Sequence, residues 1–237
     1  MIKKILILVI GLCSISANAG LKFTPIQLYI NEETRQRSAT ITLESTGITD
    51  SKIFEVSAVK WTRNEKGEDI FEKDNNILIN PKNFVIKPES KQVVRIGFSQ
   101  PIANMNLKNE QAWRVFFTEV APVVDKNAVK FLFNVSVPLF VGKQDELKLN
   151  IQPDYKNNEL FLNIKNNSNS HVQITKLTLL NEKKEEVVSK SDMRYMFSGE
   201  GYSFNMGNIS SVDLQKYKLE VTTDKNSSPV EVEIKGE

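Results

Sequence analysis

The stretch VKFLFNVSVPLFV, residues 129 to 141, carries an apolar side chain at every odd position: Val129, Phe131, Phe133, Val135, Val137, Leu139 and Val141. The even positions are mixed, with Lys130, Asn134, Ser136 and Pro138 among them. Period two commits the stretch to a β-strand with one buried face. The run is roughly twice the usual strand length. What a strand that long and that one-sided is for is the question it raises.

The rest of the chain has the same grain. Short alternating runs are expected as strands: LKFTPIQLYI, SATITLES, KIFEVSAVKW, FVIKP, KQVVRIGFS and AWRVFFTEV, then NELFLNIKN, HVQITKLTLL, YSFNM, YKLEVTT and VEVEIK. Asn, Asp, Gly and Ser mark the breaks between them, as in RNEKGED, EKDNN, NNSNS and TDKNSS. Helical periodicity is nearly absent. About seven strands in the first half fill one immunoglobulin-like sandwich, and the remainder suffices for a smaller one. The fold class is therefore all-β, with two immunoglobulin-like domains. Near VGKQDELKLN an aromatic-rich half gives way to a Lys- and Asn-rich one, which places the boundary at 142–146. The expected domains are 20–142, carrying the long strand, and 143–237.

Residues 1–19 read as a secretory signal: Lys3 and Lys4, an apolar run from Ile5 to Leu12, then Ala17-Asn18-Ala19. Cleavage is expected after Ala19. Lipid attachment at Cys13 is the competing reading, but Leu12 stands where a lipoprotein signal wants a small residue. Removing the signal takes away the only cysteine. The exported chain must then hold together by core packing, with no disulfide. Basic and acidic residues balance after cleavage, which gives no reason to propose nucleic acid or an anionic membrane surface as partner. No other run is long and apolar enough for membrane insertion.

Catalytic constellations are missing. His171 is the single histidine, so a Ser-His-Asp triad would rest on it alone and zinc sites of the His/Cys type are excluded. It reads as a turn or strand-start residue. GEGYS lacks the serine of a nucleophile elbow, EKGED and EKKEE read as solvated loops, and DKNN and DNN fall short of calcium-loop spacing. No catalytic residue, cofactor or metal is expected, and the chain is read as non-enzymatic. Arg95 and Arg114 are unusual as cations inside apolar strands, and Glu119 closes the second of those strands. Either arginine points outward or pairs with a neighbour, or it is a cationic anchor in a cleft, able to grip a carboxylate in bidentate geometry. Trp61, on the third strand, reads as core filling.

Taken in order, FTPIQLYI, VKWTR, DIFEKDNNILINPKNFVIKPESKQVVRIGFS, WRVFFTEVAP and VKFLFNVSVPLFV, with NIKNNSNSHVQITKL after them, make the chain resemble the periplasmic chaperones of the chaperone–usher pilus pathway. These are the PapD-like proteins, and the likeness is greatest to their archaic, Csu-type branch. It runs from about residue 21 to 180. It implies an L-shaped pair of immunoglobulin-like domains in the periplasm. The partners it implies are pilus or fimbrial subunits and an outer-membrane usher, and self-association of the free chain is left open. The donated side chains would fall on Val129, Phe131, Phe133 and Val135, entering a subunit's open groove until the usher exchanges the strand. Glu119 matches a glutamate that joins ion pairs near the domain interface in the family.

Better-known members hold the subunit's C-terminal carboxylate with an arginine on the first strand and a lysine on the seventh. Here Ile26 and Gln27 occupy the first region and Pro138 the second. The candidates for the anchor are then Arg114, Arg95 and Lys130, in that order. A pilus or adhesin subunit is a competing reading, and a carbohydrate-binding module using Trp61 and Trp113 is a third.

Overall fold

The computed structural model describes residues 20–34, 36–120, 131–209 and 217–232. Among the described residues the first half holds ten strands: β1 (Gly20–Thr24), β2 (Leu28–Asn31), β3 (Ser38–Thr46), β4 (Lys52–Arg63), β5 (Asp69–Lys73), β6 (Ile77–Asn80), β7 (Asn83–Ile86), β8 (Lys91–Phe98), β9 (Gln111–Glu119) and β10 (Asn134–Gly142). One sheet runs β1-β3-β8-β6 and the other β2-β10-β9-β4-β5, with β7 also on β4. The second half holds β11 (Leu149–Lys156), β12 (Glu159–Asn166), β13 (Val172–Leu180), β14 (Glu186–Met196), β15 (Gly201–Asn208), β16 (Lys218–Thr223) and β17 (Val230–Val232). These form a β11-β12-β15 sheet and a β14-β13-β16-β17 sheet. The fold is two immunoglobulin-like sandwiches, as the strand pattern predicts.

Each sandwich closes on its alternating residues. In the first, Ile41 and Leu43 of β3, Phe54 and Val56 of β4, Val94 and Ile96 of β8, and Val115 and Phe117 of β9 meet in one buried cluster. Leu160, Leu162 and Ile164 of β12 meet Leu177, Leu179, Leu219 and Val221 in the second. Each such side chain contributes about 1.5–3 kcal/mol when fully buried.

Trp61 departs from its expected role. It is buried, but with Ala112 and Phe140 in a separate cluster that Tyr29 from the first half and Tyr195 and Phe197 from the second pack against. Trp113 fills the first core instead. The reason is parity: Trp61 lies an odd number of residues from the core-facing Phe54, Val56 and Ala58, so it faces the opposite side of β4.

Candidate binding edge and interdomain cleft

The long odd-numbered file is shared between two environments. Val137, Leu139 and Val141 are buried in the first core, and Val135 packs against its margin. Beyond them Leu132 and Phe133 are exposed, and Phe131 is 90% exposed. Val129 and Lys130 lie outside the described residues. Among the described residues the strand ladder starts at Asn134, and the alignment with β9 reaches one residue further: Glu119 N–H donates to Phe133 O at 2.8 Å, and Phe133 N–H donates to Glu119 Oε2 at 3.0 Å.

On its other side β10 is half covered. β2 pairs with it in parallel from Leu139↔Leu28 to Gly142↔Asn31 and no further. The preceding strand, β1, has crossed to the opposite sheet, where it pairs with β3 from Gly20↔Thr46 to Thr24↔Thr42. Among the described residues, 134–138 therefore have a neighbour strand on one side only. Backbone groups alternate in direction along a strand. Since Phe133 turns its carbonyl to β9, Asn134 and Ser136 turn theirs to the open side. Pro138 faces that side as well, but has no N–H to offer. An edge of free backbone groups beside exposed Phe131, Leu132 and Phe133 is a template for another chain.

Glu119 supports this edge. Its buried carboxylate takes the Lys52 ammonium at 3.0 Å as well as the Phe133 amide. The ion pair expected of Glu119 at the domain interface is thus formed inside the first sandwich. β9 enters from the domain seam at Gln111 and runs outward, so its last residue lies eight positions, or about 26 Å, from the seam.

Arg95 also lies away from the seam. It is exposed on β8 in the β1-β3-β8-β6 sheet, beside Thr40 and Asn80. That sheet contributes nothing to the cluster around Trp61.

Arg114 does lie in the cleft between the sandwiches. On β9 it stands directly across the ladder from Pro138. Its guanidinium rests 4.0 Å over the Trp61 ring and 5.8 Å from that of Tyr195. It makes no ion pair or hydrogen bond with the described residues. Burial pushes its pKa down, while Tyr195 and Asp69 push it back up and Arg63 adds to the fall. Arg63, by contrast, is fully engaged: Nε on Asp69 at 2.8 Å, Nη1 on Glu200 at 2.7 Å and on the Tyr195 carbonyl at 2.6 Å. It thereby ties β4 to the second sandwich.

A polar relay continues along the seam. Gln27 Nε2 donates to Tyr195 Oη at 2.7 Å and to Gln173 Oε1 at 3.2 Å, and Tyr29 Oη donates to Gln27 Oε1 at 2.9 Å. Burial raises the Tyr195 pKa against opposing pulls from Gln27 and Arg114. His171 immediately precedes β13, as expected of a strand-start residue, but it is wholly buried. Its Nδ1 lies 2.5 Å from Glu110 Oε1 of the first sandwich and its Nε2 3.1 Å from Asp224 Oδ2 of the second. Lys225 reaches Gln144, and Gln144 reaches Glu110.

The alternation puts Phe131, Phe133 and Val135 on one edge, and a cation in an apolar strand marks Arg114, but nothing in the sequence signals Arg63, Glu110, Tyr195 or Asp224. Those residues act between domains, where no periodicity records them.

Two β-sandwiches joined at a polar seam, the first presenting a half-covered edge strand beside exposed apolar residues, define a class of two-domain immunoglobulin-like proteins. The chain belongs to the pili and flagellar-assembly chaperones: the PapD N-terminal domain model of that family matches residues 20–142. No curated protein matches it in sequence. Among solved structures it is similar to the CsuC–CsuE chaperone–tip adhesion subunit pre-assembly complex from the archaic chaperone-usher Csu pili of Acinetobacter baumannii, with TM-score 0.63 and 18% identity over 91% of this chain and 98% of that one. The Salmonella enterica SafA pilin–SafB chaperone complex gives TM-score 0.61 and 14% identity over 91% and 97%. The E. coli chaperone DraB gives 0.59 and 15% over 92% and 97%. At these identities the likeness is one of fold.

Proposed function

We propose that this protein is a periplasmic, non-enzymatic chaperone, closest in kind to the archaic Csu-type branch. In this reading it lends its edge strand to a pilus subunit by donor-strand complementation and hands the subunit to an outer-membrane usher. Residues 1–19 are the export signal, and the boundary between the working domains falls near 142. The observation that carries the reading is the half-covered edge of β10 with Phe131 and Phe133 exposed beside it. Backbone pairing at Asn134 and Ser136 supplies affinity for any strand, while Val129, Phe131, Phe133 and Val135 enter successive pockets and set the register. The complexes of CsuC with CsuE and of SafB with SafA support a subunit as the guest.

Arg114 is the anchor for the subunit's C-terminal carboxylate. Among the described residues it has no hydrogen-bonded or ion-paired acidic partner, and it stands one strand over from the position of the missing lysine, across from Pro138. Arg95 is too distant to share the task. Glu119 and Lys52 keep the start of the donated strand aligned on β9.

Co-expression with its cognate pilus subunit is expected to give a soluble one-to-one complex, and Phe131→Asp or Phe133→Asp is expected to abolish it. A complex that survives both changes sinks the proposal.

A further inference from the structure

The seam between the sandwiches contains a histidine with both ring nitrogens on carboxylate oxygens of different domains. A neutral imidazole has one N–H and one lone pair, so it can satisfy only one of them. The missing proton must sit on the ring or on a carboxyl group, and the surrounding donors decide which. Glu110 Oε1 also accepts the His171 backbone N–H at 2.8 Å, and its Oε2 takes the Gln144 amide. Asp224 Oδ1 accepts the Gln173 N–H at 2.7 Å. Three of the four carboxyl oxygens thus face fixed donors. The fourth, Asp224 Oδ2, faces only the ring, and it belongs to a carboxyl group whose pKa burial raises but the His171 and Gln173 hydrogen bonds hold below the ordinary value, so the proton is not kept there. The ring is the remaining place for it.

Everything packed around the ring agrees. Phe140 of β10 stacks on it at 3.4 Å and 7°, and Tyr29 of β2 at 5.9 Å, presenting aromatic faces to a cation. The charged groups nearby are Glu110 ahead of β9 and Asp224 and Lys225 after β16. With an imidazolium these form a balanced set of two cations and two anions. Burial pushes the Lys225 pKa down against the pull of Glu110 and Asp224, and burial and those same carboxylates push the Tyr29 hydroxyl up. Tyr195 of β14 is the other titratable neighbour.

We propose that His171, carried as an imidazolium between Glu110 and Asp224, is a positioning residue for the binding cleft. It fixes how the two sandwiches meet. Through the Gln173 amide on Asp224, and the Gln173–Gln27–Tyr195 relay, it also sets where the Tyr195 ring stands beside Arg114. The effect on the cleft rests on reading that cleft as the subunit site. Without the ring proton one carboxylate faces a lone pair, the domains part at this contact, and Arg114 loses its fixed frame.

The test uses the untagged mature chain, in which this is the single histidine. In nitrogen-15 spectra of the wild type at neutral pH, both ring nitrogens are expected to read as N–H. A neutral tautomer, with one bare nitrogen, overturns the proposal without any variant. In His171→Gln, residual dipolar couplings are expected to report an altered domain orientation, and affinity for the cognate pilus subunit is expected to fall roughly tenfold, within the usual range of coupling between sites. Asp224→Asn provides the same readouts if the first variant folds poorly. Unchanged affinity despite a changed orientation also overturns the proposal. If the wild type binds no subunit, the proposed function fails, while the ring spectrum and the couplings still judge the interdomain role.

Discussion

Truncating the two ends of the odd-numbered file is expected to have opposite consequences. Phe131 is 90% exposed in the free protein, so Phe131→Ala removes almost no contact from the folded chain, and unfolding free energy is expected to stay within about 0.5 kcal/mol of wild type. In the complex that ring would be buried, at about 2–3 kcal/mol for a fully transferred aromatic side chain. The dissociation constant is then expected to rise roughly thirty- to a hundred-and-fortyfold. Leu139 is the reverse case. It is fully buried in the first core, and Leu139→Ala leaves a cavity expected to cost about 2–5 kcal/mol of stability. Urea unfolding gives the first quantity, and calorimetric or fluorescence titration with subunit refolded from denaturant gives the second. The reasoning is refuted if Phe131→Ala binds the subunit as wild type does, or if it destabilises the free chain as much as Leu139→Ala.

Other expectations follow from the same geometry. Ser136→Pro deletes one N–H on the open side of β10 and none toward β9, so subunit binding should weaken by about 1 kcal/mol while the urea midpoint hardly moves; a large loss of stability would show the parity assignment to be wrong. Arg114→Ala should weaken binding by about 1.5–3 kcal/mol, the range for hydrogen bonds to a charged group, and amidating the subunit's C-terminus should add little further loss in that variant. Additive losses would place the carboxylate elsewhere. Lys52→Met strands the buried Glu119 carboxylate and should cost about 1.5–3 kcal/mol by urea unfolding, with faster exchange of the Phe133 amide. Asp224 gives a pH signature: burial raises its pKa, but His171 and the Gln173 amide outweigh that and hold it below the ordinary carboxylate value. A depressed folded-state pKa contributes stability above the unfolded value, lost as acid takes the pH down through the folded one. The unfolding midpoint of wild type should therefore fall more steeply below about pH 4 than that of Asp224→Asn, the usual carboxylate pKa being near there.

The sandwich class was legible because half-buried strands repeat every two residues, and β3, β4, β8 and β9 do so cleanly. β5, β6, β11 and β14 escaped. DIFEK is exposed throughout, ILIN has only four residues, and LNIQPDYK and EVVSKSDMRYM bury one residue each, so none leaves an apolar rhythm to read. LKFTPIQLYI looked like one strand because its alternation does not reveal that the chain changes sheets between Thr24 and Leu28. Arg95 and Arg114 have equivalent local sequence, a cation in an apolar strand. Only the strand order places one on an outer sheet face and the other over Trp61. Glu119 is marked by its charge at the end of an apolar strand, but no local pattern reveals which end of β9 meets the second sandwich, so its partner is Lys52 rather than a residue of that sandwich.

That change of sheet has a wider consequence. Had the chain continued straight back from Leu28 along β10, residues 24–27 would have paired with Val135–Pro138 and sealed the edge. The opening is therefore made by what its neighbour does. Moving the crossover a residue or two toward or away from Leu28 would lengthen or shorten the berth without touching one side chain of β10. If β10 receives a guest as proposed, its capacity can thus be retuned from a segment the guest need never meet.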